Sequence, residues 1–421
     1  MSKKDFSITR RTQSIVVFMC GAALLGVPLA IPVQAGTGAD SDPVAQALQG
    51  EWGQIKLNLR YRWEHVQQDG KLDTDGDPIR IRVGYLTPKF ANMQAYAEFE
   101  GNTAVFEDDY NDKTNGKTAY AVIADPDSKG ELNQGWLSFT GIPNTTVKAG
   151  RQRIILDNAR FVGNVGWRQM EQTYDAIRIT TKPTESFAID GTYLWNVRNI
   201  LSKDDDMSSF LINASFSVPK IGKTTAYSYL LDYDDLAAKS SQTYGARFNG
   251  AVGVADNVKI LYLAEYAQQS DYGDNTADFD ADYYHVNGGF KLPDLGAVKN
   301  LTGKIGYEFQ GSDNGVSFKT PLGTNHAFSG WVDKFLATPA NGLTDLYGML
   351  SCTLPVGLTA KFFYHSFEAD EGGADYGDEY DIMLKYKITP HYSVLAAYGS
   401  YDADEFATDT DKFWLQFVAN F

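Results

Sequence analysis

The feature that most constrains this chain is an alternation with a period of two residues. Ile55, Leu57, Leu59, Tyr61 and Trp63 interleave with Lys56, Asn58, Arg60, Arg62 and Glu64. Successive side chains of a β-strand point to opposite faces, so such a segment has one apolar face and one charged face. The pattern recurs at Ile79, Ile81, Val83 and Tyr85 against Arg80 and Arg82, and at Ile305, Tyr307 and Phe309 against Lys304, Glu308 and Gln310. Tyr380, Ile382, Leu384 and Tyr386 stand against Asp381, Lys385 and Lys387, and a final segment carries Phe413, Leu415, Phe417, Ala419 and Phe421 on one face.

Eighteen such segments follow one another, near 55–66, 78–87, 93–101, 133–140, 145–152, 173–181, 186–196, 208–218, 223–232, 242–252, 257–267, 281–291, 301–311, 344–354, 357–367, 377–388, 391–402 and 411–421. Their lengths suit a tilted strand crossing a bilayer, which takes roughly 9–11 residues. The connections alternate between short turns, such as 141–144 and 389–390, and long stretches, such as 102–132, 153–172 and 312–343. Short turns at one rim and long loops at the other describe a closed antiparallel transmembrane β-barrel with periplasmic turns and extracellular loops.

A soluble sandwich or propeller would bury its apolar face against another sheet. Here the apolar face is heavy in Tyr and Trp, residues suited to bilayer interfaces, and 13% of the chain is aromatic. A disordered chain would lack these residues. A helical membrane protein would need several apolar runs of roughly 20 residues.

Only the N-terminus carries an apolar run of that kind. Lys3, Lys4, Arg10 and Arg11 precede the apolar stretch from Ser14 to Ile31, and Val33-Gln34-Ala35 offers small residues at a cleavage site. This is the grammar of a secretory signal peptide, against the alternative of an uncleaved anchor. The expected organisation is a signal peptide over 1–35, a periplasmic segment over 36–54 and a barrel over 55–421, placed in the outer membrane of a Gram-negative cell. Cys20 belongs to the apolar run, which leaves Cys352 alone in the mature chain, free, and either buried or lipid-facing.

The net charge is −16, which argues against nucleic acid as a partner, because phosphate binding needs a basic surface. The nine long connections carry 31 acidic and 12 basic residues, so the acidic excess sits on the loops. On the charged strand faces the strongest constellation is basic. Arg60, Arg62, Arg80 and Arg82 lie on two strands joined by one hairpin, where guanidinium groups can attract carboxylates or phosphates. Lys56, Arg247, Lys304, Lys361, Lys385 and Lys387 extend this lining. The alternative is a wall of paired charges, with Glu64, Glu98, Glu100, Glu308 and Asp381 as counter-ions.

Catalytic and metal signals are weak. Asp73-Thr-Asp75-Gly-Asp77 opens like a calcium loop, but Pro78 and Gly84 stand where that loop needs Gly and Glu. His365 and Ser366 are neighbours on a strand and therefore face opposite sides. No enzyme, cofactor or metal is expected.

Two long connections differ from the rest. Segment 153–172 sets Arg153, Arg160 and Arg168 against Asp157 and Glu171 and contains Trp167. Segment 312–343 holds Phe318, Phe328, Trp331, Phe335 and Leu336. That much apolar surface calls for a packing partner, either the barrel lumen or the other loop above the rim. Asp157, Arg160, Trp167, Arg168 and Trp331 are the residues that would form a constriction.

The stretch from Gly150-Arg151-Gln152-Arg153 through Asp157-Asn158 and Arg160-Phe161-Val162-Gly163-Asn164-Val165-Gly166-Trp167-Arg168-Gln169 to Tyr174-Asp175-Ala176 resembles the alginate-export family of outer-membrane porins. His326-Ala-Phe328-Ser-Gly330-Trp331-Val-Asp333-Lys334-Phe335 and Leu59-Arg60-Tyr61-Arg62 resemble it too. The resemblance covers about residues 50–421. It implies an eighteen-stranded barrel and export of an anionic polysaccharide through an Arg-lined pore, with Arg60, Arg62, Arg80, Arg82 and Arg151 as the lining. Glu98, Glu100 and Glu308 interrupt that wall here. The expected function is a channel for small anionic or sugar-like solutes across an outer-membrane lipid bilayer. The alternative is a dedicated exporter of an acidic polysaccharide such as alginate, which would need a periplasmic partner. A non-conducting adhesin or structural barrel is a third reading.

Overall fold

The computed structural model describes residues 42–421. The expected signal peptide, its cleavage near Ala35, and Cys20 lie outside the described residues. A single helical turn spans Pro43–Ala47.

Eighteen antiparallel strands follow. They are β1 Gly53–Gln68, β2 Pro78–Leu86, β3 Met93–Ala104, β4 Lys129–Phe139, β5 Thr145–Gln152, β6 Thr173–Thr181, β7 Phe187–Arg198, β8 Asp204–Val218, β9 Gly222–Leu231, β10 Ser241–Ala255, β11 Val258–Asp271, β12 Asp280–Leu295, β13 Val298–Gln310, β14 Leu343–Thr353, β15 Thr359–Glu368, β16 Asp375–Lys387, β17 Tyr392–Ala403 and β18 Thr410–Asn420. Each pairs with the next, and β18 closes on β1 in a register running from Asn58 opposite Asn420 to Gln68 opposite Thr410. The fold is a closed eighteen-stranded barrel. Closure leaves no open sheet edge, which lipid would not tolerate.

Every segment read from the alternation forms a strand, but several run further into the long-loop side. β8 begins at Asp204 rather than 208 because Asp204, Asp205 and Asp206 pair with Arg198, Val197 and Asn196. Beyond the lipid both faces of a hairpin are polar, so the two-residue signal fades while the pairing continues.

Ile81, Val83, Phe99, Leu137, Ile177, Ile179, Phe210, Ile212, Val286, Ile305, Leu346 and Leu415 are exposed, while Arg60, Arg62, Arg80, Arg82, Glu98 and Glu100 are buried. That inversion of a soluble fold is the pattern of a barrel with lipid outside and a polar interior. Cys352 is free and half-buried. It continues the outer-face alternation of Leu346 and Leu350.

The interior is largely filled. Ile154, Leu156, Phe161 and Val162 of the connection 153–172 pack with Phe318 and Leu322 of the connection 311–342 against the wall residues Tyr174, Leu211, Tyr227 and Tyr283. Val332 and Phe335 pack against Phe367, Tyr376 and Tyr401. Trp167 and Trp331 pack against Trp414, Leu395 and Ala397. The apolar residues that seemed out of place in loops are therefore the barrel's core. The two loops do pack on each other, but inside the barrel.

Candidate functional site

The arginine strip holds the 153–172 loop. Arg60 donates from Nε to Gln169 Oε1 at 2.7 Å, from Nη1 to the Gly166 carbonyl at 2.8 Å, and from Nη2 to the Arg168 carbonyl. Arg80 donates to the Gln169 carbonyl at 3.2 Å and to Asn58. Arg82 meets Glu100 at 2.5 Å and lies 3.5 Å from Glu171. A guanidinium offers five donors in a fixed fork, which suits it to gathering the carbonyls of an irregular segment. The loop's backbone is satisfied from the other side as well, because Asp125 accepts the Gln169 amide at 2.6 Å. Gln169 in turn donates to the Pro78 carbonyl at 2.7 Å.

Arg62 plays a different part. It donates to Gln416 at 2.7 Å, and its guanidinium lies 3.9 Å from the centre of the Trp167 ring. Trp167 also stacks on His326, with ring centres 4.4 Å apart. Arg168 bonds Asp333 at 2.6 Å and lies 3.3 Å from Glu64. Burial pulls the Arg168 guanidinium down, but Glu64 and Asp333 outweigh it and raise its pKa. Burial likewise opposes ionisation of Asp333, yet His326, Lys412 and Arg168 hold its carboxyl well below the usual range.

The two loops touch backbone to backbone, with the Gly163 amide on the Leu322 carbonyl and the Thr324 amide on the Ala159 carbonyl, both at 2.9 Å. A Cβ on Gly163 would stand 2.2 Å from Thr324 Oγ1, so only glycine permits this approach. Arg160 is buried and pairs with Glu308 of the wall at 2.5 Å. Asp157 accepts from Asn213 at 2.8 Å and from Thr225 and Lys223, each at 3.2 Å. Trp331 sets its ring edge against Phe363, and its amide donates to Asp381 at 3.3 Å. The next amide, of Val332, donates to Glu379 at 2.7 Å. Gly330, at φ 85°, turns the chain against that carboxylate, where a Cβ would clash.

The packed loops leave separate cavities. The largest, about 660 Å³, lies beside β1–β3 and is lined by five cations, Lys56, Arg60, Arg80, Arg82 and Arg153, against the two carboxylates Glu98 and Glu171. Lys56 sits over the Tyr96 ring, and Glu98 accepts from Tyr96 at 2.5 Å and Asn133 at 2.8 Å. A second cavity, about 360 Å³, holds Asp157, Lys223 and the Arg178–Asp190 pair. A third, about 250 Å³, is lined by Arg247, Lys304 and Lys361. Lys385 occupies the same face of β16 as Asp381, opposite Leu395 and Thr359.

Arg151 is a correction. It lies in register with Gly135 and Asp175, on the face shared with exposed Leu137 and Ile177. It forms a bidentate pair with Asp175 at 2.7 and 2.8 Å. The strict alternation that turns Gln152 and Tyr174 inward turns Arg151 outward, so it does not line the pore.

The acids that opened like a calcium loop hold the chain together instead. Asp77 accepts the amides of Val105, Phe106 and Glu107, and Asp75 meets His65 at 3.0 Å. His365 pairs with Asp345 at 2.9 Å, while Ser366 lies opposite Leu346 on the outer face. Gln169 and Asp125 are central to the site; Gln169 lies in the stretch that carries the family resemblance, with no role implied for it, and Asp125 is not marked by any motif. An uncharged Gln and an Asp in a long loop acquire meaning only from where the loop folds.

A family model described as "Alginate export" matches residues 52–318. Among curated proteins no sequence matches. Similar solved structures include Acinetobacter baumannii OccAB3, with a TM-score of 0.67 and 13% identity, covering 87% of this chain and 99% of that one. Pseudomonas aeruginosa OccK1 (OpdK) has a TM-score of 0.67 and 14% identity, covering 87% and 98%. A second structure, titled as the outer membrane protein opdK from the same organism, has a TM-score of 0.66 and 15% identity, covering 87% and 98%. At these identities the likeness is one of fold.

Proposed function

The chain belongs to the alginate-export family, and from that premise we propose that it is an outer-membrane channel for small anionic or sugar-like solutes. The observation that carries this reading is the pair of loops folded into the barrel. They narrow the lumen to cavities, two of which, about 660 and 360 Å³, fall within the roughly 300–1,000 Å³ range of small-molecule sites, and the larger is lined by a cationic excess. Selection then rests on width and electrostatics. Charges in a confined wall focus the field along a pore. The other long loops carry most of the acidic excess at the outer rim, in salt, where charges further apart than about 8 Å are screened. The protein sits in the outer membrane with its long loops extracellular. Residues 1–35 are removed on export, and residues 36–54 remain in the periplasm.

The family description favours a second reading, a dedicated exporter of an acidic polysaccharide that engages a periplasmic partner at the short-turn rim. Liposome swelling separates the two. A diffusion channel admits monosaccharides and small organic acids without any partner. An exporter alone admits none of them, and a non-conducting adhesin would pass no current in a planar bilayer.

A further inference from the structure

Glu379 and Asp381 stand two residues apart on the inner face of β16, 0% and 1% exposed. Glu379 accepts the Val332 amide at 2.7 Å, and Asp381 accepts the Trp331 amide at 3.3 Å. The two carboxyl groups are also hydrogen-bonded to each other. Glu379 Oε2 and Asp381 Oδ1 are otherwise buried without a donor. An ionised carboxylate only accepts, so a hydrogen bond between two of them needs a proton. The pair therefore holds one proton between two acids, because neighbouring buried carboxyl groups do not both ionise.

The same pair seats the tip of the 311–342 loop. Gly330, at φ 85°, brings the chain so close that a Cβ would stand 2.3 Å from Glu379 Oε2. On the other side, a Cβ on Gly399 of β17 would stand 2.7 Å from Asp381 Oδ1. Charged and titratable groups face the pair from each neighbouring element. On β15, His365 bonds Asp345 of β14 at 2.9 Å and lies 3.9 Å from Asp381, and Lys361 is within electrostatic reach of Asp381. Tyr401 of β17 lies opposite Glu379. Asp333 and Lys334 come from the loop itself, and Lys412 of β18 lies 3.5 Å from Asp333. Among the described residues, none of these side chains donates a hydrogen bond to the pair from outside it.

We propose that the Glu379–Asp381 pair is a proton-locked latch that holds the tip of the 311–342 loop against the barrel wall and releases it in alkali. When hydroxide takes the shared proton, two negative charges stand in contact and move apart. The spacing that matches two successive amides, of Trp331 and Val332, is then lost. Phe328 and Ser329 precede the tip and line the 250 Å³ cavity, so release of the tip widens that cavity. The inference goes beyond the channel reading, because it concerns how the loop is held whether or not solutes pass.

The test is electron paramagnetic resonance of a nitroxide at the exposed position Ala327. The label is attached to Ala327→Cys in a Cys352→Ser background, with the full-length protein in detergent micelles. It is expected to be immobilised at pH 6 and to show at least a roughly threefold larger mobile fraction at pH 10, since contact between two ionised carboxylates is unfavourable. Glu379→Gln supplies a permanent N–H to Asp381 and a carbonyl to Val332, so its label should stay immobile at both values. Asp381→Asn should behave alike, and it serves if Glu379→Gln fails to show heat-modifiable migration. Lys334, which burial brings down to about 8, loses its own charge over this range, whereas Lys334→Arg keeps it. The response should persist in Lys334→Arg and in His365→Gln. A label equally immobile at both values without the latch substitutions overturns the proposal. So does a response that survives Glu379→Gln or Asp381→Asn, or one abolished by Lys334→Arg or His365→Gln. Loop mobility decides the latch, and conductance decides the channel, so either can fail alone.

Discussion

Arg60 on the first strand and Gln169 in the 153–172 loop, 109 residues apart, meet through a 2.7 Å hydrogen bond inside the barrel. The same guanidinium takes two further loop carbonyls, of Gly166 and Arg168. The basic strip is thus first an anchor, and its surplus charge lines the cavity that the anchored loop leaves.

Removing the anchor should loosen the loop. Hydrogen bonds to charged groups contribute about 1.5–3 kcal/mol each. The Arg60→Ala/Arg80→Ala variant is therefore expected to insert normally but to show noisier single-channel current and a higher mean conductance than the wild type. A quiet trace with unchanged conductance would show that the loop is held by its apolar packing alone.

The buried Arg160–Glu308 pair joins the same loop to the wall. Breaking such a pair from one side costs about 3–5 kcal/mol, because a charge is left unpaired, whereas replacing both partners can be nearly neutral. Arg160→Met should lower the midpoint of urea unfolding, and Arg160→Met/Glu308→Gln should recover much of the loss. Equal losses in the single and double variants would mean that the ion pair is not the relevant contact.

Acid should release the loop through Glu171. Burial pushes this carboxyl up, but Arg82 and Arg153 outweigh it and bring it down to about 2. A depressed carboxylate contributes stability above its unfolded value of about 4.3, and that stability is lost as pH falls through the folded value. Conductance should be steady from pH 7 to 5 and grow noisier between about 4.3 and 2. Glu171→Gln should be noisy at pH 7 and less sensitive to acid. Acid sensitivity identical to the wild type in this variant would assign the effect elsewhere.

Much of the fold was legible because a barrel strand in lipid repeats one rule, and Leu57, Leu59 and Tyr61 obey it as plainly as Leu415 and Phe417. The weak points came from the same rule. Arg151 follows Gly150 in the stretch that carries the family resemblance, and the resemblance implies a place in the pore, although counting by twos from inward-facing Lys148 puts it on the outer face. The aromatic residues of 312–343 announced a packing partner but not which one. The hydrogen bonds of Gln169 depend on a loop path that no local pattern encodes.

That assignment has its own check. Arg151→Ala is expected to leave ion selectivity unchanged and to cost at most about 1 kcal/mol, the range of a partly exposed ion pair. A reversal potential shifted as far as that of Arg82→Ala would return Arg151 to the pore.

A chain with a net charge of −16 thus sets a cationic excess around the cavity beside its first three strands, and that excess should make the channel favour anions. The most direct test is the reversal potential across a KCl gradient in a planar bilayer, for the wild type and for Arg80→Ala. The wild type is expected to favour chloride, and the variant to favour it less. A wild-type channel that favours potassium would contradict the account.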